Sequence, residues 1–423
     1  MKTRILLRGP VLSFSGYGEH ARFILRALRS QEEKYDIHVI PTDWGKMSWL
    51  HKFDEEREWI DYLIKKTMGA IERKEQFDLS IQVDVPSLFK PMAPLNIGVT
   101  AGTETDKVSP EWIEKVNMMD QIITTSQHTS DGFLKSVYQA MNQATGQKIE
   151  DFKCNTKVDH VGYPVKNIET KEVELNLKTD FNFFVCATWC ARKNIENTLK
   201  WFLEEFYDNE EVGLVLKVMY LNGSNLDFEV TRRKIKDIVS KFKDRKCHIY
   251  LLHGDLSDEE MHSLYKRNDI KCLINLAHGE GFGLPIFEAA YSGLPVIAPN
   301  WGGLRDFMNM QNKKNKVRPY FKTVDFDVAK IQPYAVWKDI LIKDSNWCYP
   351  KQGSYKMALR DMFKNYNMHL NRARDLRDHI LEEFKEENQY SKLNKIIQDV
   401  VGPEVSSNDI DDYFNNLVEE FEK

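Results

Sequence analysis

The sequence predicts an α/β fold of two Rossmann-like domains, each a doubly wound parallel sheet with helices on both faces. Short β-branched runs alternate with amphipathic helical patterns, and this alternation restarts after a segment of weak periodicity at residues 162–178. With 423 residues, of which 42% are hydrophobic, the chain is long enough to form two cores. Two such domains would face a central cleft with the carboxyl ends of their strands.

In the first half, period-two and continuous apolar runs predict strands at 4–7, 37–40, 79–83, 97–100 and 122–125. Helical periodicity predicts helices at 19–28, 55–72 and 130–141. The strand pattern then returns at 183–187, 214–220, 249–252, 273–276 and 295–298. We therefore expect an N-terminal domain at 1–168 and a C-terminal domain at 178–370.

From residue 355 onward the pattern is mostly helical and charged, and it includes a last amphipathic helix near 410–421. We expect the helices of 371–423 to cross back to the N-terminal domain. The chain shows no internal repeat and no stretch approaching the ~18 apolar residues of a membrane span. The start MKTRILLRGP reaches Arg8, Gly9 and Pro10 before the apolar core of a signal peptide could form, so a cytoplasmic location is expected.

Charge and cysteine content argue against overall attraction to nucleic acid and against a cysteine zinc site. Lys and Arg number 59 against 64 Asp and Glu, giving a net charge of -5, which provides no overall attraction to nucleic acid. The six cysteines show no zinc spacing and are expected to be reduced and mostly buried. They are Cys154, Cys186, Cys190, Cys247, Cys272 and Cys348.

The most informative segment is 276–308, LAHGEGFGLPIFEAAYSGLPVIAPNWGGLRDFM. Glycines follow a predicted strand, and a helix is expected to start at Pro285, where a proline is favoured. Backbone amides at the start of this helix would point into the cleft with the positive end of the helix dipole, forming a site for an anionic ligand. These backbone amides belong to Gly281, Phe282, Gly283 and Leu284.

Two carboxylates lie close to this turn: Glu280 within it and Glu288 about one turn into the helix that follows. Carboxylates accept hydrogen bonds from the vicinal hydroxyls of sugars and riboses. On the other interpretation, Glu280 is a surface turn residue and Glu288 interacts only with the helix dipole, gaining ~0.3 to 1 kcal/mol.

The segment resembles the E-x7-E signature of retaining GT-B glycosyltransferases, particularly the family 4 group. The resemblance implies the GT-B fold, a UDP- or GDP-sugar donor, no metal and no other cofactor. Glu288 would bind the donor ribose, and Glu280 would contact the donor sugar or stabilise charge near its anomeric carbon. Gly302 and Gly303 would form a neighbouring turn.

Two further loops match this family. In SFSGYGE (13–19), Gly16 and Gly18 would bring backbone amides to the donor diphosphate, although glycines are also common in such turns for steric reasons. ATWCARKNI (187–195) resembles the basic phosphate loop, with Lys193 in the lysine position. The family's usual arginine is replaced by Thr188, so that role passes to Arg192, unless this arginine is simply solvated.

On the acceptor side, TETDKVSPEW (103–112) resembles a variant with an acidic residue, which makes Glu104 a candidate contact to donor sugar or acceptor. Many relatives have a histidine in this region. His128 is the available histidine, and its alternative role is to cap a helix beginning near Thr129. Glu280, Lys193 and Glu104 are the candidate catalytic residues.

The resulting hypothesis is a retaining hexosyl- or pentosyltransferase that acts on a hydroxyl of a glycan, lipid-linked sugar or small molecule. A transferase for a modified DNA base and a non-catalytic glycan-binding subunit are the alternatives. Basic clusters at 232–236 and 313–318 would serve a nucleic-acid partner, or be solvated surface. The Asp pairs 325/327 and 409/411 match the short metal-binding pattern of other transferase folds by chance, in our interpretation. Donor sugar, acceptor and oligomeric state stay open.

Overall fold

The computed structural model describes residues 2–45, 47, 49, 53–141, 146–311 and 314–402. The helix predicted at 410–421, the Asp pair 409/411 and Lys313 of the second basic cluster lie outside the described residues. Among the described helices, none has the length and apolar content needed to cross a bilayer.

The N-terminal domain is built on a six-stranded parallel sheet in the order β2-β1-β3-β4-β5-β8. A small antiparallel hairpin, β6-β7, lies outside this sheet. The elements are β1 (Thr3–Gly9), α1 (Gly16–Arg29), β2 (Tyr35–Pro41), α2 (Glu55–Glu72), β3 (Leu79–Val83), β4 (Leu95–Thr100), α3 (Pro110–Val116), β5 (Gln121–Thr124), α4 (Gln127–Lys135), β6 (Val137–Met141), β7 (Lys148–Lys153) and β8 (Lys157–His160).

The C-terminal domain repeats this plan with a six-stranded parallel sheet in the order β11-β10-β9-β12-β13-β16. Its elements are β9 (Phe181–Thr188), α5 (Ile195–Glu205), β10 (Val212–Met219), α6 (Asn225–Val239), β11 (His248–Leu252), α7 (Asp258–Lys266), β12 (Ile270–Ile274), α8 (Leu284–Tyr291), β13 (Val296–Pro299), α9 (Arg305–Met308), β14 (Asn309–Gln311), β15 (Val317–Pro319), β16 (Lys322–Val324), β17 (Phe326–Lys330), β18 (Asn346–Pro350), α10 (Gln352–Lys364), α11 (Tyr366–Glu383) and α12 (Glu386–Val401).

These two sheets confirm the predicted fold class. In each sheet the strand order reverses beside the first strand, between β1 and β3 and between β9 and β12. Ligands of doubly wound folds bind at this switch point, outside the carboxyl ends of the strands. The loops after β1, β9 and β12 are therefore where the fold places a site.

Each sheet is packed by two large apolar clusters, and the last described helix joins one of those in the N-terminal domain. Leu393 and Ile397 of α12 are buried in the same cluster as Phe23 of α1. The Asn394 side-chain amide also donates to the carbonyl of Ala27 at 2.8 Å. Thus α12 packs on the N-terminal domain, although it follows the C-terminal domain in sequence.

One predicted helix, at 130–141, is wrong in its extent. Helix α4 begins after Ser126, whose hydroxyl accepts from the Thr129 amide, and Ser136 beyond its end has an extended backbone. Val137 and Tyr138 then start strand β6, which pairs with β7. β-branched and aromatic residues favour a strand here, and the apolar period that suggested a longer helix comes from two different elements.

Candidate active site

Glu280 is the centre of a buried ion-pair cluster between the loops after β9 and β12. Its side chain is 8% exposed, and Lys193 Nζ lies 2.5 Å from its Oε1 while Arg192 lies 3.0 Å from its Oε2. The Asn275 side-chain amide donates a further hydrogen bond to Oε1 at 3.0 Å. The loop after β9, 189–194, is called the phosphate loop below. The two loops therefore place one carboxylate, two cations and one amide in a single contact set.

The charges of this cluster decide the ionisation of Glu280. Burial raises the pKa of this carboxyl, but the nearby Lys193 and Arg192 outweigh burial and lower it to about 2. The Arg192 guanidinium also loses hydration on burial, yet the Glu104 and Glu280 carboxylates raise its pKa. Glu280 is thus a permanent anion at physiological pH.

Glu104 reaches the same cluster from the N-terminal domain. Its Oε1 lies 3.3 Å from the second guanidinium nitrogen of Arg192, and both side chains are partly exposed. Two carboxylates and two cations consequently meet across the cleft. The three residues predicted to be catalytic, Glu280, Lys193 and Glu104, lie together, linked through Arg192.

Glycines allow the two domains to approach closely at this point. A Cβ added at Gly279 would lie 1.8 Å from the carbonyl oxygen of Glu104, and one added at Gly281 would lie 2.5 Å from that of Ala101. The Ser126 hydroxyl donates to the Gly281 carbonyl at 2.6 Å, which joins the two domains. No side chain other than hydrogen fits at Gly279 unless the domains move apart.

The start of α8 provides amides for an anion. Gly283 precedes the helix in the left-handed region, with φ of +97°. No hydrogen-bond acceptor is seen in the described part of the chain for the amides of Gly281, Phe282, Gly283 and Leu284. Free amides at a helix N-terminus attract negatively charged oxygen.

Glu288 lies further along α8, in a different environment from Glu280. The Tyr265 hydroxyl donates to its Oε2 at 2.9 Å. Burial raises the pKa of Glu288 to about 7, and the nearby Lys166 and the Tyr265 hydrogen bond oppose this only in part. The carboxyl therefore titrates near neutral pH.

The two glycines after β1 differ in role. The Gly18 amide donates to the Ser15 hydroxyl at 3.1 Å. A Cβ at this position would lie 2.0 Å from the Ser13 carbonyl oxygen, so Gly18 is required by packing. Gly16 faces the other domain, where an added Cβ would be 3.8 Å from Leu284 Cδ1. Only Gly16 is placed to approach a ligand at the start of α8.

His128 lies inside the first turn of α4, because Ser126 is the residue that caps this helix. The alternative that His128 is the cap is therefore wrong. Its ring packs edge-on against Trp301 at 5.3 Å between centroids. Burial lowers its pKa, and its Nε2 is buried without a partner among the described residues. The imidazole is neutral and lies on the N-terminal wall of the cleft.

Sequence reasoning did not single out Asn275, which contacts Glu280, or Tyr265, which contacts Glu288. It also did not single out the buried Lys217. Asn275 directly follows β12, and its position at a strand end is a weak signal of a cleft residue. Lys217 is buried on β10, where its ammonium donates to the Gly254 carbonyl. A lysine in an apolar strand such as VGLVLKVM is a signal that was available. Tyr265 lies within a helix pattern and gives no such signal.

The remaining candidates lie away from the cluster. Asp327 pairs with Lys351 at 2.8 Å. In the first basic cluster, Arg232 pairs with Glu229, and Lys234 lies over the rings of Trp189 and Tyr220. Within the described residues, no group of three acidic, histidine or cysteine side chains is arranged to hold a metal ion.

Comparison with known proteins gives a family match over part of the C-terminal domain. The family described as "Glycosyl transferases group 1" matches residues 234–323, which include Glu280, α8 and Glu288. The GtfA subunit of a UDP-N-acetylglucosamine–peptide N-acetylglucosaminyltransferase from Streptococcus agalactiae is 24% identical over 219 residues. This alignment covers 50% of the chain and 39% of that relative. The chain thus spans less than half the length of this curated relative.

Solved structures resemble nearly the whole chain. Sucrose-phosphate synthase from Thermosynechococcus elongatus has a TM-score of 0.61 at 13% identity, covering 94% of this chain and 99% of its own. HepE from Anabaena, solved in complex with UDP and glucose, has a TM-score of 0.58 at 11% identity, with coverages of 94% and 100%. The protein therefore has the GT-B fold, and residues 234–323 of its C-terminal domain are similar to the group 1 glycosyltransferase family.

Proposed function

We propose that this protein is a retaining glycosyltransferase that moves a sugar from a nucleotide-sugar donor to a hydroxyl acceptor. The observation that carries the proposal is the Glu280 cluster at the start of α8, with Glu288 eight positions later. The spacing supports membership of the family 4 group with its E-x7-E signature. A UDP-sugar is the favoured donor, because HepE is recorded with UDP and glucose.

In this proposal the donor diphosphate lies at the start of α8. The free amides of 281–284 and the side chains of Lys193 and Arg192 would bind its oxygens. A diphosphate would replace Glu280 as the partner of these cations. Glu280, released from part of its ion pairing, would then accept hydrogen bonds from the donor sugar and stabilise positive charge at its anomeric carbon.

Glu288 would bind the ribose hydroxyls, with the Tyr265 hydroxyl holding the carboxylate in place. During transfer, the bond from the anomeric carbon to the diphosphate oxygen breaks, and the acceptor oxygen forms a bond on the same face of the sugar. The acceptor proton goes to the departing phosphate oxygen. Glu104, on the N-terminal side of the cleft, would orient the acceptor hydroxyl.

The charge of the acceptor wall favours a neutral acceptor. Glu104 and Asp106 lie on this wall, and the described cations of the first basic cluster lie on α6 of the other domain. A polyanion such as DNA would meet these carboxylates and be repelled. A glycan, lipid-linked sugar or small hydroxyl compound is therefore the proposed acceptor, with a hexose or pentose as the transferred group.

The first test is donor hydrolysis by the purified protein, screened with UDP- and GDP-sugars after thermal-shift detection of binding. We expect UDP-sugars to raise Tm and to be hydrolysed slowly, since water replaces the acceptor. Proton NMR of the early product would then show an α-anomer from an α-linked donor. A β-anomer would contradict retention, and binding without hydrolysis or transfer would favour a non-catalytic subunit.

A further inference from the structure

A cavity with a volume of about 610 Å³ lies beside the phosphate loop. The loop contributes Cys190, Ala191 and Asn194 to its lining. Arg192 and Lys193 of the same loop are directed at Glu280. The cavity and the Glu280 cluster are therefore on different sides of one loop.

Aromatic rings form much of the wall. Trp189, Tyr220, Tyr334 and Tyr349 line the cavity, and they come from four separated parts of the chain. Trp189 is almost fully buried, whereas Tyr334 is 77% exposed and Tyr220 is 39% exposed. Exposed tyrosines at the rim of a concave site are typical of ligand binding, because their rings offer apolar area and a polar edge.

Polar groups between the rings include one acceptor without a partner. Gln332 Oε1 is buried and has no hydrogen-bond partner among the described residues. The amide nitrogen of Gln332 lies 3.4 Å from His278 Nε2, so the amide is oriented and its oxygen is free for a donor. Glu196 and Asn197 add exposed acceptors at the start of α5. An unpaired buried acceptor costs free energy unless a water or a ligand supplies the donor.

The charge of the cavity favours a neutral ligand over a phosphorylated one. Lys234 is the lysine of the lining, and its ammonium lies 4.9 Å from the Tyr220 ring centroid and 5.8 Å from that of Trp189. Burial lowers the pKa of His278, although the hydrogen bond between its Nδ1 and the Cys348 carbonyl, at 2.7 Å, opposes this shift. Glu196 adds a negative charge at the rim.

We propose that this cavity is a saccharide-binding site separate from the donor site. The apolar faces of a sugar ring pack on tyrosine and tryptophan rings, and its hydroxyls would donate to Gln332 Oε1 and to the acceptors of α5. The volume accommodates a mono- or disaccharide without charge. The inference rests on the lining and does not require the transfer activity proposed above.

The test is saturation-transfer NMR on the full chain with glucose, maltose, cellobiose and N,N′-diacetylchitobiose, followed by calorimetric titration of the strongest binder. Each titration is repeated with saturating UDP. The variants are Tyr334→Ala and Tyr220→Ala, both at exposed positions. Tyr62→Ala is the matched control, because Tyr62 is 61% exposed on α2 of the other domain.

We expect at least one of the four sugars to bind with UDP present, and each cavity variant to weaken its binding by up to about tenfold. Tyr62→Ala should leave the affinity unchanged. The proposal is overturned if none of the four sugars binds, if UDP displaces the bound sugar, or if both cavity variants bind it like the native protein. Binding of adenosine or uridine with the same tyrosine dependence, in place of a sugar, would also overturn it.

Discussion

The two ends of the candidate donor site hold the same residue type in opposite electrostatic states. Burial raises the pKa of both carboxyls, but Lys193 and Arg192 lower that of Glu280 to about 2, whereas Glu288 is raised to about 7. Glu280 has two cations within 3.0 Å, while the closest polar partner recorded for Glu288 is the neutral Tyr265 hydroxyl. Neighbouring charge, more than burial or residue type, separates the two glutamates.

This difference suggests a division of roles. A carboxylate that stays ionised at all physiological pH values suits the end where positive charge develops during sugar transfer. A carboxyl that titrates near neutrality suits recognition, since its hydrogen bonds to ribose depend on ionisation. Substitutions at Glu280 and Glu288 can therefore test each end separately.

The largest effect is expected at the ionised end. Glu280→Gln should lower donor hydrolysis by about 100- to 1000-fold, because the variant lacks the charge that would stabilise the transition state. Donor affinity should change much less, since the cations and free amides remain to bind the diphosphate. Turnover by donor hydrolysis and affinity by calorimetry are measured on the same preparation.

Glu210→Gln is the matched control, because Glu210 is exposed in the turn between α5 and β10. It should behave like the native protein in both assays. Equal losses of turnover and affinity in Glu280→Gln would make Glu280 a binding residue only.

The next largest effect is expected at the phosphate loop. Lys193→Ala removes a charged contact worth roughly 1.5–3 kcal/mol, so turnover should fall by about 10- to 150-fold. Lys193→Arg, which keeps the charge, should recover part of this loss. A lysine that only neutralises Glu280 would instead leave turnover intact in Lys193→Ala, while lowering Tm.

Adding a chelator tests the same end of the site. If Lys193 and Arg192 neutralise the diphosphate, EDTA should leave hydrolysis unchanged. Loss of activity with EDTA, followed by recovery with magnesium or manganese, would show that a metal supplies this charge.

At the titrating end we expect a pH dependence of donor affinity. Glu288 is protonated below its pKa of about 7, and the neutral form accepts hydrogen bonds less strongly than the carboxylate. Affinity for the UDP-sugar should therefore rise between pH 6 and 8 and then level off. Calorimetry across this range should give about a tenfold change, and Glu288→Gln should bind weakly at every pH.

The unliganded protein should show the reverse trend in stability. Because the folded-state pKa of Glu288 is raised from 4.5 to about 7, its contribution to stability is complete below pH 4.5 and is lost as pH rises through 7. The Tm of the native protein relative to Glu288→Gln should therefore fall with rising pH. A constant difference in Tm would show that Glu288 is solvated and titrates normally.

Much of the fold was predictable because local patterns determine it. Buried strands such as β3 and β9 read as apolar runs, and Gly279, Gly281 and Gly283 mark the turn before α8. Within the site, the pairing of Glu280 with the phosphate loop was implied only by resemblance. The sequence alone could not show it, because 87 residues separate Lys193 from Glu280.

The elements that prediction missed depend on long-range contacts. The hairpin β6-β7 begins where the helical pattern predicts a longer α4, and its strands pair with each other. Strand β18 reaches the N-terminal domain through its first residue, Asn346, which is 240 residues from its partner Asp106. Periodicity indicates which face of an element is buried, but it does not indicate which other element packs against that face.

The smallest effect is expected at this Asp106–Asn346 contact, which joins the domains beyond the Glu280 end. Asn346 donates from its backbone and side-chain nitrogens to the two Asp106 carboxylate oxygens, each at 2.7 Å. Asp106→Ala removes both bonds but leaves the Ser126–Gly281 contact, so the cleft should open more often without a loss of fold. Two-domain proteins close when a ligand contacts both halves, and the donor should reverse this opening.

Small-angle scattering measures the outcome directly. Without donor, Asp106→Ala should have a larger radius of gyration than the native protein, and saturating UDP-sugar should bring the two together. Turnover should fall by less than about threefold, since the variant affects only the fraction of closed molecules. Asp131→Ala, which removes a partly exposed carboxylate from α4 of the same domain, should leave the radius unchanged. Identical scattering for both variants, with and without donor, would mean that this contact does not control closure and that the difference between the two ends of the site is set by local charge alone.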